Sequence, residues 1–431
     1  MHQITDTLNT LTACPDCDLL MPAPQMDEGY FGLCPRCGKT LWKKPADSIA
    51  KALALSIAGL LLYLPSMLLP LMTFESFGFS DTANILESIV NFYLNEYYFV
   101  SLMVMLSAVI FPFLLLSFML IISLQLQMRR YPPYLKRLFR IYLHLEEWAM
   151  VEVYLLGIMI TIIKMVDASE ISYHAGIFCF TGLVLTTLAI STVIDNHLFW
   201  KLIETRGQHT TKPRKTVTVA QGTGADNHLI LCHLCHKLSP ADMEGRACPR
   251  CGETLHSRLP GAISRTWALV LTSVIFLAPA NLLPIMRVDF LGIPDRSTIL
   301  DGIIYFFQSG SYAIGLIIFT ASILVPVFKI VGLMILLLAS RPCSAHRLRQ
   351  KAKMYRYIAF IGRWSMLDIF VIALLTVLVD FGIFTSIHAA PAATYFCIVV
   401  ASTMFAAITY DPRIMWDNCA RLKENRQYLA Q

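Results

Sequence analysis

Long apolar segments recur along the chain between short polar connections. Eight of them approach the roughly 20 apolar residues that a helix needs to cross a bilayer core, and few of their positions are charged. They span residues 52–72, 100–128, about 148–166, 175–194, 266–286, 312–339, about 364–387 and 389–410. The pattern predicts an all-α polytopic membrane protein. Buried helices of a soluble protein are the alternative, and eight nearly uncharged runs disfavour it. The polar residues 1–49 do not resemble a cleaved leader, so the first span is expected to be an uncleaved anchor.

Composition and charge agree with a membrane protein and suggest its orientation. Of the 431 residues, 56% are apolar and 15% are charged, whereas soluble domains carry about 25% charged residues. The net charge of +6 is unevenly distributed: the connection between Met72 and Val100 contains no Lys or Arg, and that between the fifth and sixth spans has only Arg287 and Arg296. Because basic residues stay on the cytoplasmic side, both termini are expected to be cytoplasmic.

The second half of the sequence repeats the first. The segment Cys34–Leu41 recurs as Cys248–Leu255, an offset of 214 residues. With a slip of two residues, Trp148, Met150 and Glu152 correspond to Trp364, Met366 and Asp368. This register predicts a tandem duplication of a four-helix transmembrane bundle, with both copies in the same orientation and each preceded by a small zinc-ribbon or rubredoxin-like module.

The repeat also sets the expected domain boundaries. They are an N-terminal zinc-ribbon module at 1–49, a first four-helix transmembrane domain at 50–203, a linker at 204–227, a second zinc-ribbon module at 228–260, a second four-helix transmembrane domain at 261–416 and a cytoplasmic tail at 417–431.

Two cysteine motifs stand ahead of the two sets of spans. In each, two Cys-x2-Cys pairs are separated by a short segment, which suits four thiolates around one tetrahedral Zn²⁺; iron has the same ligands in rubredoxin-like sites. The expected ligands are Cys14, Cys17, Cys34, Cys37, Cys232, Cys235, Cys248 and Cys251. Four thiolates close the coordination shell, so two structural rather than catalytic sites are predicted, facing the reducing cytoplasm. His233 and His236 are expected not to be ligands.

A few polar and ionisable residues interrupt the apolar spans. Such residues are costly in lipid and usually face a cavity or a partner. The predicted polar cavity of the second bundle comprises Lys329, Ser322, Ser365, Asp368 and Thr403; the first half keeps Glu152. Leu115 stands where the repeat places Lys329, so the halves are unequal. An ion pair of Lys329 with Asp368 that only holds the bundle together is the alternative.

Two further features concern the membrane boundary. Pro70, Pro112, Pro284 and Pro326 could each kink a helix. The segment from Asp81 to Tyr98 is amphipathic and aromatic, which predicts an interfacial helix or a docking surface.

The duplicated plan, with its Leu-Leu-Pro-x-Met and Trp-x-Met-x-Asp/Glu signatures, resembles the paraquat-inducible protein A family over about residues 14–416. The resemblance implies a multi-pass protein of the bacterial inner membrane that partners a periplasmic MCE-domain protein. It further implies transport of phospholipid to or from the MCE tunnel, coupled to the proton gradient, with a contribution to envelope integrity. On that view, Ser322, Lys329, Ser365 and Thr403 line the working cavity.

Other classes of function remain open on the sequence alone. A non-transporting membrane scaffold or adaptor would use the metal modules and basic loops to hold an envelope complex together. A redox enzyme would use the cysteine pairs, but closed four-cysteine sites disfavour it and no enzyme activity is expected. The sequence has no ATP-binding loop of the G-x-x-x-x-G-K-[ST] type, and no nucleic-acid partner is expected.

Overall fold

A computed structural model describes most of the chain. The described residues are 3–7, 11–23, 29–76, 79–146, 148–165, 170–205, 216–220, 222–290, 293–308, 310, 312–338, 344–362, 367, 370–371 and 385–429. Most of them are helical, and six of their helices are long and apolar enough to cross a membrane: Ser48–Leu68, Tyr98–Gln127, Ala175–Val193, Ala262–Leu282, Gly315–Leu338 and Pro391–Thr409.

The first half follows a short β-rich module. That module contains β1 (Gln3–Thr7), β2 (Leu11–Ala13), β3 (Leu20–Pro22), β4 (Phe31–Leu33) and β5 (Thr40–Lys43). The helical part then comprises α1 (Ser48–Leu68), β6 (Met72–Ser76), β7 (Phe79–Ala83), α2 (Ile85–Leu94), α3 (Tyr98–Gln127), α4 (Tyr134–Leu145), α5 (Val151–Met165), β8 (Glu170–Tyr173), α6 (Ala175–Val193) and α7 (Asn196–Thr205). The helix predicted between Asp81 and Tyr98 is α2.

The second half has the same order of elements. Its module contains β10 (Leu229–Leu231) and β11 (Leu238–Pro240), after β9 (Thr216–Ala220), which pairs with β1. The elements that follow are α8 (Ala262–Leu282), β12 (Met286–Phe290), β13 (Ile293–Ser297), α9 (Ile299–Gln308), α10 (Tyr312–Leu338), α11 (Ala345–Gly362), β14 (Thr385–Ala389), α12 (Pro391–Thr409) and α13 (Arg413–Leu429). The predicted span at 364–387 lies largely outside the described residues.

Each half carries an antiparallel sheet at the end of its helices that is remote from the cysteine modules. The strand orders are β7-β6-β8 and β13-β12-β14, so the hairpin after the first helix is extended by a strand from later in the same half. We call this end the sheet side and the opposite end the module side. The all-α expectation missed these sheets, although Met286–Phe290 alternates apolar and polar residues, which is the period of a strand.

The long helices α3 and α10 both contain one turn of π-helix. It covers Met105–Ile110 in α3 and Thr320–Leu324 in α10. Pro112 and Pro326 follow two residues later, and because proline lacks an amide hydrogen, the preceding turn widens instead of breaking. By contrast, Pro70 and Pro284 lie after the ends of α1 and α8, so they follow a helix rather than kink it.

The third predicted span, at about 148–166, corresponds to α5, which follows a separate helix, α4. Helix α4 ends at Leu145 and α5 begins at Val151, and in the connection between them Met150 N donates to Ser107 O of α3 at 3.4 Å. Helix α5 has 15 residues and is about 22 Å long, which is short for a bilayer crossing. The helix begins and ends within about three residues of the predicted bounds.

The halves meet through aromatic packing around this break. Trp148 packs on Phe405 with ring centroids 4.8 Å apart, and Tyr154 packs edge-on against Phe370 at 5.1 Å. Within each half, the first and last long helices pack closely against each other, α1 with α6 and α8 with α12. The break between α4 and α5 thus lies where the two halves are in contact.

Candidate metal centres and membrane cavities

The four cysteines of the first module form one buried cluster. Cys14 Sγ lies 3.5 Å from Cys37 Sγ, and Cys17 Sγ lies 3.6 Å from Cys34 Sγ. All four sulfurs lie within 4.8 Å of one another. A tetrahedral site with Zn–S bonds of about 2.3 Å requires sulfurs about 3.8 Å apart. The cluster therefore fits one four-coordinate metal ion.

The second module repeats this geometry. Cys232 Sγ lies 3.5 Å from Cys251 Sγ, and Cys235 Sγ lies 3.6 Å from Cys248 Sγ. In its second knuckle, Gly252 N donates to Cys248 O at 2.9 Å and has a φ of +79°, a conformation that glycine adopts without steric cost. The two four-cysteine clusters predicted from the spacing could each hold a metal ion, and the geometry does not identify which one.

The clustered sulfurs shift one another's pKa. Hydrogen bonding with Cys14 lowers the pKa of Cys34 and raises the pKa of Cys17. A metal that binds thiolates must displace the remaining protons, so metal binding by these modules releases protons.

The histidines beside the second cluster have other partners. Arg413 Nη2 donates to His233 Nε2 at 2.8 Å, and His236 lies next to His197 with ring centroids 6.1 Å apart. Burial is the main cause that lowers the pKa of His233 to about 4 and that of His236 to about 3, so both rings are neutral at pH 7. Neither belongs to the group of residues that could ligate a metal.

The first module packs mainly on the second half of the chain. Its cysteines share a cluster of buried side chains with Leu348 and Ala352 of α11. Arg356 of α11 donates from Nη1 to Asp16 Oδ2 at 3.0 Å and from Nη2 to Cys37 O at 3.1 Å. The second half therefore contacts both knuckles of a module that precedes the first.

The second module packs correspondingly on the first half. Its cysteines share a cluster with Phe139 of α4 and Trp200 of α7. Arg140 of α4 donates to Gly252 O at 3.1 Å, which resembles the contact of Arg356 with Cys37 O but falls one residue later in the knuckle. Each module is thus docked on the other half, an arrangement we call crossed docking.

Two buried ion networks join the modules to the start and end of the second half. One is centred on Arg258, and the other includes the pair of Arg413 with Asp411. Arg258 donates to Asp18 Oδ2 at 2.8 Å and to Asp417 Oδ2 at 2.6 Å. Burial raises the pKa of Asp18 despite the guanidinium. Burial alone would raise the pKa of Asp411 as well, but the hydrogen bond and charge of Arg413 more than offset it, so that pKa is lowered.

A corresponding carboxylate joins the second module to α7. Arg250 Nε donates to Glu204 Oε2 at 2.7 Å, and Lys237 is paired with the same carboxylate. Burial opposes ionisation here, but the two cations outweigh it and the pKa of Glu204 is lowered. Sequence reasoning did not single out these contact residues. The correspondence of Arg140 with Arg356 at an offset of 216 residues was a signal available in the sequence.

The described members of the predicted polar cavity are buried in the second half. Lys329 is 0% exposed, and Ser322 and Thr403 are each 1% exposed. Ser322 belongs to the π turn of α10, Lys329 follows it in the same helix, and α10 packs against α12, which carries Thr403. Ser365 and Asp368 lie outside the described residues, so their place relative to Lys329 stays a prediction.

Glu152 lines a cavity formed mainly by residues of the first half. The cavity has a volume of about 330 Å³, and its lining also includes Leu115 and Thr187. In the repeat, Glu152 corresponds to Asp368, Leu115 to Lys329 and Thr187 to Thr403.

The six membrane-length helices of the described residues, with two buried four-cysteine modules that could each hold a metal ion, define the class of this chain as a multi-pass membrane protein. The sequence model of the paraquat-inducible protein A family matches residues 49–204 and 263–420. The chain belongs to that family.

The relatives are similar over nearly their whole length. The intermembrane transport protein PqiA of Escherichia coli K12 is 32% identical over 410 residues, which are 94% of this chain and 95% of the relative. The lipophilic envelope-spanning tunnel protein A of the same strain is 32% identical over 409 residues, 94% of this chain and 90% of the relative. A probable intermembrane transport protein of Haemophilus influenzae is 30% identical over 414 residues, 94% of this chain and 95% of the relative. No solved structure matches the chain.

Proposed function

We propose that this protein is the inner-membrane subunit of an intermembrane lipid transport system. It moves phospholipid to or from the tunnel of a periplasmic MCE-domain protein, draws on the proton gradient and contributes to the integrity of the envelope. Both termini and both metal modules face the cytoplasm. The names of the relatives support intermembrane transport, and the distribution of Lys and Arg supports the orientation.

The observation that carries the proposal is the burial of Lys329. Its side chain is 0% exposed within a helix of membrane length that also carries the buried Ser322 and packs against the helix of the buried Thr403. Ionisable groups at such positions are expensive and commonly belong to substrate or proton routes. The repeat of the same chain has Leu115 at this place, so the fold itself does not require a lysine there.

The test is a matched pair of substitutions. Lys329→Met removes the charge and keeps the length of the side chain, and Leu115→Met makes the same residue at the corresponding position of the first half. Both variants are reconstituted with the MCE-domain partner, and transfer of labelled phospholipid is measured with and without a proton gradient. We expect Lys329→Met to abolish gradient-dependent transfer and Leu115→Met to retain it. Normal transfer by a correctly folded Lys329→Met protein would refute the proposal.

The metal modules are assigned a structural role. Zn²⁺ in each four-cysteine cluster holds a module that is too small to have a substantial core of its own. Elemental analysis of the purified protein is expected to give two zinc atoms per chain, and iron in their place would correct the metal but not the fold.

A second candidate is a scaffold that anchors an envelope complex without transporting lipid. It is favoured by the exposed basic face of α11, which includes Arg347, Arg349 and Lys353. The scaffold predicts that partner binding and envelope integrity survive Lys329→Met but are lost when this basic face is neutralised.

The two halves are best explained by duplication of one ancestral unit, since the order of elements and the matched family segments both occur twice.

A further inference from the structure

The two metal modules contact each other as well as the helices. Strands β2 (Leu11–Ala13) and β10 (Leu229–Leu231) hold equivalent places, since each ends directly before the first cysteine of its module. All three residues of each strand are buried, and β11 of the second module also contacts β2. One hydrophobic cluster, which we call the module interface, consists of Leu11, Ala13, Leu229, Leu231 and Leu238.

Hydrogen bonds connect the first cysteine pair of one module to the chain that enters the other. Asp18 follows Cys17, and its amide donates to Cys14 O at 2.8 Å, so the turn between the two cysteines fixes its position. Gly224 N donates to Asp18 O at 2.9 Å, and Ala225 N donates to Asp18 Oδ2 at 3.2 Å. A metal that orders this turn therefore also orders the segment around Gly224.

The segment held by Asp18 leads directly to the second metal centre. Leu229 N donates to Gly224 O at 2.8 Å, at the point where β10 begins. Strand β10 ends at Leu231, and Cys232 is the next residue. A path of hydrogen bonds and one short strand thus joins a ligand pair of the first centre to a ligand of the second.

The contact between Asp18 and Gly224 is close-packed. A Cβ at Gly224 would lie 3.0 Å from Asp18 Oδ1 and 3.4 Å from Leu229 O, so the modules approach each other without space for a side chain. Beside this contact, Leu20 N donates to Gly222 O at 3.0 Å. A shift of one module therefore cannot be absorbed here without a shift of the other.

The second cysteine pair of each module lies against a helix instead. Arg356 of α11 donates to Cys37 O in the first module, and Arg140 of α4 donates to Gly252 O in the second. The first pairs are the ones that the strands of the module interface flank. Ligands of the second pairs can therefore be replaced without altering a residue of the module interface.

The size of the modules makes their contact energetically important. A module this small depends on its metal for folding, so each strand of the module interface is held in place only when its own centre is filled. A filled module then presents an ordered apolar strand and ordered hydrogen-bonding groups to the other. The second module folds against an existing surface, and less conformational freedom is lost when its metal binds.

We propose that the two metal centres are energetically coupled through the module interface, so that metal in either centre raises the affinity of the other. The proposal rests on the metal-binding role assigned to the modules above and is independent of lipid transport. Because each module is docked on the opposite half, coupled loss of both metals would release α4 and α11 together. The module side would then respond to metal supply as one unit.

The experiment uses the full-length protein in detergent, with Zn²⁺ as the metal. One variant disables the first centre by Cys34→Ser with Cys37→Ser, and the matched variant disables the second by Cys248→Ser with Cys251→Ser, at the equivalent positions. Chelator mixtures set the concentration of free Zn²⁺. A short pulse of iodoacetamide labels cysteines that hold no metal, and mass spectrometry of the peptides gives the occupancy of each centre separately.

We expect the free Zn²⁺ concentration that protects half of Cys232 to be about tenfold higher when the first centre is disabled, a factor within the usual range for coupled sites. Coupling between two binding sites is reciprocal. Disabling the second centre should therefore shift the half-protection of Cys14 by the same factor. The shift concerns affinity, so the remaining centre still fills at saturating Zn²⁺.

A second pair of variants tests the route of the coupling. Leu238→Ala shortens a side chain of the module interface, whereas Leu255→Ala shortens another buried leucine of the same module, which packs in the cluster of the first half. In the Leu238→Ala background the shift should fall below about threefold, and in the Leu255→Ala background it should stay near tenfold. The wild type adds a measurement without any substitution, because coupled centres lose protection over a narrower range of Zn²⁺ than one independent site.

Three results would contradict the proposal. Shifts below about twofold in the cysteine variants, or single-site curves in the wild type if those variants do not fold, would overturn the coupling. A shift in one direction only would violate reciprocity and overturn it as well. Equal loss of the shift in both leucine backgrounds would overturn the route. Absence of any protection by Zn²⁺ would instead contradict the metal-binding role, and gel filtration with circular dichroism establishes that each variant is folded.

Discussion

Removing the guanidinium of Arg258 should favour undocking of the first module from the rest of the protein. Arg258 is the cation bound to Asp18, whose side chain is 2% exposed, while that of Arg258 is 20% exposed. Breaking a buried pair by removing one partner costs about 3–5 kcal/mol, because the other charge stays buried without compensation. Since Arg258 keeps some contact with solvent, we expect Arg258→Met to cost about 3 kcal/mol, at the lower end of this range. A cost of this size raises the equilibrium constant for undocking of the module about 100-fold.

Hydrogen exchange of the intact protein measures this opening directly. Amides of residues 11–23 should exchange about 100-fold faster in Arg258→Met than in the wild type. Arg265→Met, at an exposed position of α8, is the matched control and should leave that rate unchanged. Asp18→Asn in the Arg258→Met background removes the carboxylate charge that has lost Arg258 and should restore more than half of the lost protection from exchange.

The same variant has a defined pH dependence. The pKa of Asp18 is raised in the folded protein, so folding favours its protonated form. The destabilisation is therefore present when the pH lies above the folded pKa, and it fades as the pH falls through that value toward the unfolded pKa of 3.8. Loss of Arg258 should therefore enlarge the gain in stability that acidification produces. An exchange rate within twofold of the wild type at pH 7, or no recovery with Asp18→Asn, would refute this account of the network.

Three further outcomes follow from local geometry. Gly176→Ala should prevent stable folding, because its Cβ would lie 2.4 Å from Pro70 O of the backbone, whereas Gly302→Ala, which meets no atom within 4 Å, should be tolerated; thermal unfolding compares the two. Cys232→Ser should lower the metal content by about one atom per chain, and Cys419→Ser, a buried cysteine outside both clusters, should leave it unchanged by elemental analysis. Acidification should release metal from both modules as the thiolates gain protons, so a chelator should extract it faster at pH 5 than at pH 8, and equal rates would contradict thiolate ligation.

The two four-cysteine clusters and most membrane helices could be predicted from the sequence because their signals are local. A Cys-x2-Cys pair such as Cys14 and Cys17 places two thiolates on one turn regardless of the rest of the fold. Hydropathy identified long helices such as Pro391–Thr409 because a bilayer imposes its thickness on any span.

The parts that could not be predicted depend on contacts between distant segments. Crossed docking rests on Arg140 and Arg356, which in sequence look like ordinary basic residues after a membrane span. Their role depends on which module packs against them, and neither propensity nor spacing carries that information. The cavity lined by Glu152 was missed for the same reason, since its lining residues come from several helices that are distant in sequence.

Crossed docking has a consequence for biosynthesis. The chain is made from its N-terminus, and the first module can take up metal as soon as Cys37 has emerged. Its docking partners Arg356 and Trp416 are made more than 300 residues later. Until then the module remains tethered but undocked, with its contact surface uncovered. A chain that stops early cannot cover that surface. Docking of the first module therefore occurs only after the last helix has been synthesised.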